Sequence, residues 1–396
     1  MVTTLGDNAK GEFLETAIIL QFEIGREFVD NVQPVASIDF HASGELCITS
    51  SGDDSLRLYD AVNATAKTHL YSKKYGCNLA RFTHSRSSII YSSTKVDHTI
   101  RYHSLHDNRY LRYFEGHEAL VVDLEMSPNN DTFLSSSIDG EVRLWDLRTP
   151  NCMGLAKSIQ SGRTSVAFDQ SAKVFATVVG NKLRLYDVAQ YDVGPFGTFE
   201  IPLDSRSIVT GVEFANDGKD ILVSTSSDTL YLINSFAKAN ENPVKFKLKG
   251  HSNKKGALIR GTLSPDAKFA SCGSDDGTVH FWETETGKHI AALKGTERAD
   301  GMKWNPKYMM FATASEQLVS LPTASGFFPA TIPISVTRVL HERLRTFVQT
   351  SKWRKSNINS IRGSSLETAA CFRVACINVQ VDTGDLGRTF IRCRGS

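Results

Sequence analysis

His117, the hydroxyls of Ser135 and Ser137, and Asp139 fall within one short stretch that Trp145 closes. A serine, a histidine and an aspartate are the side chains of nucleophilic acyl transfer, in which the imidazole takes the hydroxyl proton and the carboxylate orients the imidazole. The same groups also suit a buried hydrogen-bonded chain, where an indole donor, a hydroxyl, an imidazole and a carboxylate satisfy one another. Repetition decides between the two. His251, Asp276 and Trp282 show the pattern a second time, and a nucleophile does not come in copies. The set is therefore read as structural, with Ser135 or Ser137 as the hydroxyl. Other chemistry is absent by spacing. Gly211 and Gly218-Lys219 are wrongly separated for a phosphate loop, and Asn216-Asp217-Gly218 reads as a hairpin turn. There is no H-E-x-x-H and no unrepeated acid–base set. Neither catalytic residue, cofactor nor metal is expected.

The elements that must position these residues are short strands. Residues 116–149 contain three apolar runs, Val121–Met126, Thr132–Ser136 and Val142–Trp145, separated by Ser127-Pro128-Asn129-Asn130-Asp131 and by Ile138-Asp139-Gly140. Such runs with such turns make a β-meander. The opening Gly116-His117 and closing Trp145-Asp146 match the signature of a WD repeat, one blade of a β-propeller. An aromatic or apolar residue stands before the Asp-like position at Tyr59, Tyr102, Trp145, Tyr186, Ile233 and Trp282, at intervals of 43, 43, 41, 47 and 49 residues. A weaker seventh unit runs through Met302–Trp304, Phe311–Ala314 and Leu318–Leu321. The expected fold is all-β, a seven-bladed WD40 propeller over 18–323. Its ring is closed by the spare strand in 18–28, which removes the open sheet edge. Residues 1–17 are expected to be a flexible N-terminus.

Composition agrees with that architecture. The 396 residues are 41% hydrophobic, enough for one large core, and the net charge is +2. Residues 324–396 hold eleven Lys/Arg against four Asp/Glu, leaving a mildly acidic body and a basic extension. The seven cysteines are scattered, and Cys371, Cys376 and Cys393 make a poor zinc constellation. They read as reduced thiols of a cytosolic or nuclear protein. No secretory signal or membrane-spanning run is present in the sequence.

Several stretches are more specific than a generic repeat: LYSKKYG (70–76), YSSTKVDHTIRYHSLHDNRYLRYFEGH (91–117), MSPNNDTFLSSSIDGEVRLWDLRTPNC (126–152), YDVGPFGTF (191–199) and NPKYMMFATASEQLVSLPT (305–323). Together they resemble the WD repeat-containing protein 82 family, the Swd-two type subunits of COMPASS-like histone H3 lysine 4 methyltransferase complexes. The resemblance covers about residues 18–323. It implies a non-catalytic nuclear adaptor, monomeric within a hetero-complex. Its partners would be SET-domain methyltransferase subunits and the phosphorylated C-terminal domain of RNA polymerase II. A protein phosphatase 1 assembly and the 3′-end processing machinery are further implied settings, with no membrane and no specific nucleic-acid site. An adaptor of another machine, such as a ubiquitin ligase substrate receptor, is the alternative. A phosphorylated partner calls for charge-assisted hydrogen bonds from cations. Lys73, Lys74, Arg101, Arg109 and Arg112 lie in the family-like stretches and are the candidates, interleaved with Tyr110, Tyr113 and Phe114. Two departures stand out. Ser320 replaces the family's aromatic before Leu-Pro. Residues 324–396 match nothing in the family and read as a disordered extension, a lineage-specific binding segment or translated intron, the first and last favoured.

Overall fold

The apolar runs pair antiparallel with their neighbours in the computed structural model, which describes residues 14–157, 162–204, 207–238, 241–295, 299–315 and 319–324. The extension from 325 onward, and residues 1–13, lie outside the described residues. The fold is an all-β propeller of WD40 repeats. Among the described residues the strands form seven four-stranded sheets. Sheets one to six span 35–71, 78–114, 121–157, 164–200, 209–249 and 262–294. Sheet seven joins Gly301–Trp304, Phe311–Ala314 and Val319–Ala324 to Phe22–Phe28 from the start of the chain, Phe22 opposite Ala324 and Phe28 opposite Val319.

The first strand of each sheet lies beside the first strand of the next, and Gly301–Trp304 lies beside Val35–Phe40. Each sheet is thus sandwiched between two others, which explains its burial pattern. Leu46–Ser51 and Asp220–Thr225 are buried at every position, while the outer strand Thr65–Tyr71 is largely exposed. Apolar clusters fill the gaps between sheets. One unites Phe114 of sheet two with Leu124, Phe133 and Trp145 of sheet three. Tight turns give the strands their spacing, as at Asp139-Gly140, where Gly140 has φ +82.

Inner strands of adjacent sheets do not share a ladder, so their polar backbone needs other partners. Acidic side chains supply them. Asp39 Oδ2 accepts from Phe82 N at 2.8 Å, Asp123 Oδ2 from Val166 N at 3.2 Å, and Glu213 Oε2 from Leu263 N at 3.2 Å.

Two expectations need correction. The chain start is ordered earlier than expected: Thr16–Ile19 is a helical turn, and Leu14 and Ile19 are buried against Phe22, Trp304 and Phe311. The strand itself begins at Phe22. In sheet two the repeat register is shifted by one. Ile89 pairs with His103 as Phe133 pairs with Trp145, so His103 and not Tyr102 holds the tryptophan position. Tyr102 is half-buried while His103 is buried, matching Leu58 and Tyr59 in sheet one.

Candidate interaction surface

The hydroxyl between His117 and Trp145 belongs to Ser135. Trp145 Nε1 donates to Ser135 Oγ at 2.8 Å, and Ser135 Oγ lies 2.6 Å from His117 Nε2. An indole only donates, so Ser135 accepts from it and passes its own proton toward Nε2. His117 then carries its proton on Nδ1, which faces Asp139 Oδ2 at 3.7 Å. Burial pushes the His117 pKa down to about 4, against the pull of Asp139. Ser135 has no exposed surface and sits beneath the indole, so no substrate reaches it. Glu141 approaches the same two groups. Its carboxylate is held by Arg143 at 2.8 Å and Lys157 at 3.1 Å, which spends on side-chain cations the charge a metal would need.

The second copy does not form the same chain. Pairing places Cys272 opposite His280, where sheet three has Ser135 opposite Arg143. A thiol is a weak hydrogen-bond partner, and Trp282 Nε1 donates instead to Lys249 O at 2.9 Å. Asp276 bonds Thr278, whose hydroxyl meets His280 Nε2 at 2.8 Å, and His280 Nδ1 meets His289 Nε2 at 2.9 Å. His251 packs edge-on against Trp282 and makes no hydrogen bond to it or to Asp276. His251, Asp276 and Trp282 are therefore neighbours and not one network.

The five candidate cations separate into three situations. Arg101 is buried. Its guanidinium is bidentate to Asp97, at 3.1 and 2.9 Å, also bonds Ser93, and lies 3.7 Å from the Tyr75 ring centre. It is a floor and not a free contact, which corrects its place among the binding residues. Arg112 is also removed. A bulge in the Arg109–Phe114 strand sets Tyr110 opposite His103 and Tyr113 opposite Arg101, whereas Arg112 faces Tyr102 on the other side of the sheet. There it adds to the effect of Arg148, whose hydrogen bonds chiefly hold the Asp146 carboxyl below its usual range. Lys73, Lys74 and Arg109 are exposed.

The first two of these lysines stand on a platform of rings. Lys73 lies 5.5 Å from the Tyr71 ring centre and Lys74 4.9 Å from that of Tyr75. Tyr110 and Tyr113 pack 5.6 Å apart over Arg101, and His103 stacks under Tyr110 at 4.9 Å. Buried Tyr91 anchors the underside through Ser72 and the Tyr110 hydroxyl, both at 3.2 Å. The loop carrying Lys73 to Tyr75 is fixed by backbone. Tyr75 O accepts from Thr94 N at 3.0 Å and Lys95 N at 2.8 Å. Gly76, at φ +71, leaves room for the Thr94 side chain, which any Cβ would strike. Tyr71, Leu111 and Tyr113 keep about half their surface exposed. Sequence reasoning missed Tyr71 and Tyr75 as part of this set. The signal was present in the interleaving of rings with Lys73 and Lys74. What the arrangement offers is a rigid aromatic surface rimmed by cations, fit to hold an anionic, extended peptide.

The WD domain, G-beta repeat model matches residues 25–60, 108–146 and 242–283. The chain is 42% identical to WD repeat-containing protein 82 of Drosophila melanogaster, over 78% of this chain and 96% of that protein. It is 39% identical to Set1 complex component swd2 of Schizosaccharomyces pombe, over 68% and 74%. It is 36% identical to COMPASS component SWD2 of Saccharomyces cerevisiae, over 72% and 89%.

Proposed function

We propose, from the premise that the chain belongs to the WD repeat-containing protein 82 and Swd2 family, that it is a non-catalytic scaffold subunit of a nuclear Set1/COMPASS-type histone H3 lysine 4 methyltransferase complex. The names of its fungal relatives support the complex. The seven sheets serve as seven blades, with Phe22–Phe28 closing the ring as the fourth strand of the last. The surface of Tyr71, Lys73, Lys74, Tyr75, Tyr110 and Tyr113 receives the phosphorylated C-terminal domain of RNA polymerase II. One observation carries that assignment: exposed ammonium groups stand beside the Tyr71 and Tyr75 rings, and Arg101 and its backbone hydrogen bonds hold Tyr75 in place. Pre-ordering removes part of the cost of binding a flexible peptide, and ammonium groups meet phosphate through charge-assisted hydrogen bonds. Protein phosphatase 1 and 3′-end processing assemblies are further settings for the same scaffold.

The test has two arms. Tagged protein recovered from nuclear extract should carry a SET-domain methyltransferase and its core subunits. Recovery of cullin-linked ligase subunits in their place would overturn the reading. In fluorescence anisotropy, a phosphorylated heptad-repeat peptide should bind more tightly than its unphosphorylated form. Lys73→Ala with Lys74→Ala should weaken the phosphorylated peptide by about tenfold, a loss of about 1.4 kcal/mol, and leave the melting temperature unchanged.

A further inference from the structure

The inner strands surround a cavity of about 500 Å³. Its charged lining is unbalanced. Arg81, Arg163, Arg260 and Lys303 face it, against Glu125, Glu213 and Asp300. Two of the cations are matched: Lys303 Nζ lies 2.8 Å from Glu213 Oε1, and Arg260 Nη1 lies 2.7 Å from Asp123 Oδ1. Asp300 has a partner of its own. Burial raises the Glu125 pKa to about 7, so this carboxyl contributes only part of a negative charge at neutral pH.

Arg81 and Arg163 are the two cations left without an ion pair among the described residues; Arg81 Nη1 donates to Ala80 O at 3.0 Å. Arg163 Nη2 and Arg260 Nη2 both donate to the carbonyl of Val122, at 3.4 and 3.2 Å, so two guanidiniums converge on one oxygen. Arg163 Nε is buried with no acceptor, and no carboxylate lies within ion-pair distance of its guanidinium among the described residues. Burial and then the charge of Arg260 disfavour its protonated form. A buried N–H without an acceptor and two like charges side by side both cost stability. Such an arrangement calls for an acceptor at Nε, which an anion or an ordered water supplies. The Asp123 carboxylate attracts Arg163 from nearby, while its own hydrogen bonds come from Arg260, Val166 N and Leu124 N.

We infer that Arg163 and Arg260 form an oxyanion site in the central channel, which takes the carboxylate of an acidic side chain reaching in from a partner protein. The site is separate from the tyrosine and lysine surface and does not rest on the function proposed for it. Free phosphate shares the chemistry and is the second source to distinguish.

The experiment is a thermal melt of the full chain with inorganic phosphate or N-acetylglutamate amide, each against sodium chloride at equal ionic strength. The unchanged protein should gain about 2 °C at saturation. Arg163→Gln should lose that gain while its own melting temperature stays level or rises, since the guanidinium it removes has no carboxylate within ion-pair distance. Response to both probes supports a side-chain carboxylate as ligand; response to phosphate alone assigns the oxyanion site to free phosphate and overturns the partner side chain. No gain beyond chloride, or a gain kept in Arg163→Gln and lost in Lys73→Ala with Lys74→Ala, overturns the site. A lower basal melting temperature in Arg163→Gln also overturns it, by making the side chain structural. Should that variant not fold, the Arg163 Nε–H resonance of the unchanged protein decides: a saturable shift with phosphate supports the site, and no shift overturns it.

Discussion

At Ser135 a single hydroxyl is shared between an indole donor and an imidazole acceptor, and removing either neighbour leaves half of its hydrogen bonding unmet in a buried site. Trp145→Ala should therefore cost about 3–5 kcal/mol, from the lost ring and the lost donor together, measured by chemical denaturation. His117 makes the same network sensitive to pH. Its folded pKa of about 4 lies below the ordinary 6.5, so the unfolded chain binds the proton first. Stability from this group is full above about pH 6.5 and falls as pH drops toward 4, by up to about 3 kcal/mol. His117→Asn should flatten that part of the stability–pH curve; an unaltered slope would show that another group titrates. The residue types of this network were legible in the sequence, but the choice of Ser135 over Ser137 was not. Strand register makes it, by setting Ser135 opposite Arg143 and Phe133 opposite Trp145. The second copy was misread because Cys272 occupies the hydroxyl position, and only pairing reveals that.

Within elements, the sequence carried a better ruler than the aromatic spacing that misplaced sheet two. An aspartate stands six residues before Tyr59, His103, Trp145 and Trp282, at Asp53, Asp97, Asp139 and Asp276. In two of these sheets an arginine four residues after the aspartate bonds back to it, Arg57 at 3.2 Å and Arg101 at 2.9 Å. Tyr102 is aromatic and drew the alignment to itself, whereas a histidine in the tryptophan position went unread. The strand Arg109–Phe114 was legible, but its bulge was not, and the bulge decides which side chains share a face. Arg101 ties this element to the platform. Arg101→Lys keeps the charge and loses the fork to Asp97 and the stack on Tyr75. It should cost about 1–2 kcal/mol in denaturation. It should also weaken the phosphorylated peptide although Arg101 is buried, because Tyr75, Tyr110 and Tyr113 lose their common floor. Peptide binding that survived the substitution unchanged would mean the rings are held by their strands alone.

For the whole molecule, the all-β repeat pattern could be read from spacing, because it depends on local periodicity. A chain ending at Ala324 should melt as the full chain does, while one beginning after Phe28 should lose cooperative unfolding, as it leaves Val319–Ala324 an open edge. What spacing could not show is the contact across the ring. Arg260 and Asp123 are 137 residues apart, one just before sheet six and the other in sheet three, yet their side chains meet at 2.7 Å. No period in the sequence relates them, since they meet at the cavity and not within one sheet. Asp123 also holds Val166 N of sheet four, so one carboxylate ties sheets three and four to the segment before sheet six. Asp123→Ala removes the carboxylate paired with Arg260, beside which Arg163 donates to the same Val122 carbonyl. It should destabilise by about 3–5 kcal/mol, the range for breaking a buried pair from one side. Adding Arg260→Leu should recover part of that loss, because the second substitution removes the stranded charge. A double variant no more stable than Asp123→Ala would place the cost in the Val166 hydrogen bond and not in the pair across the channel.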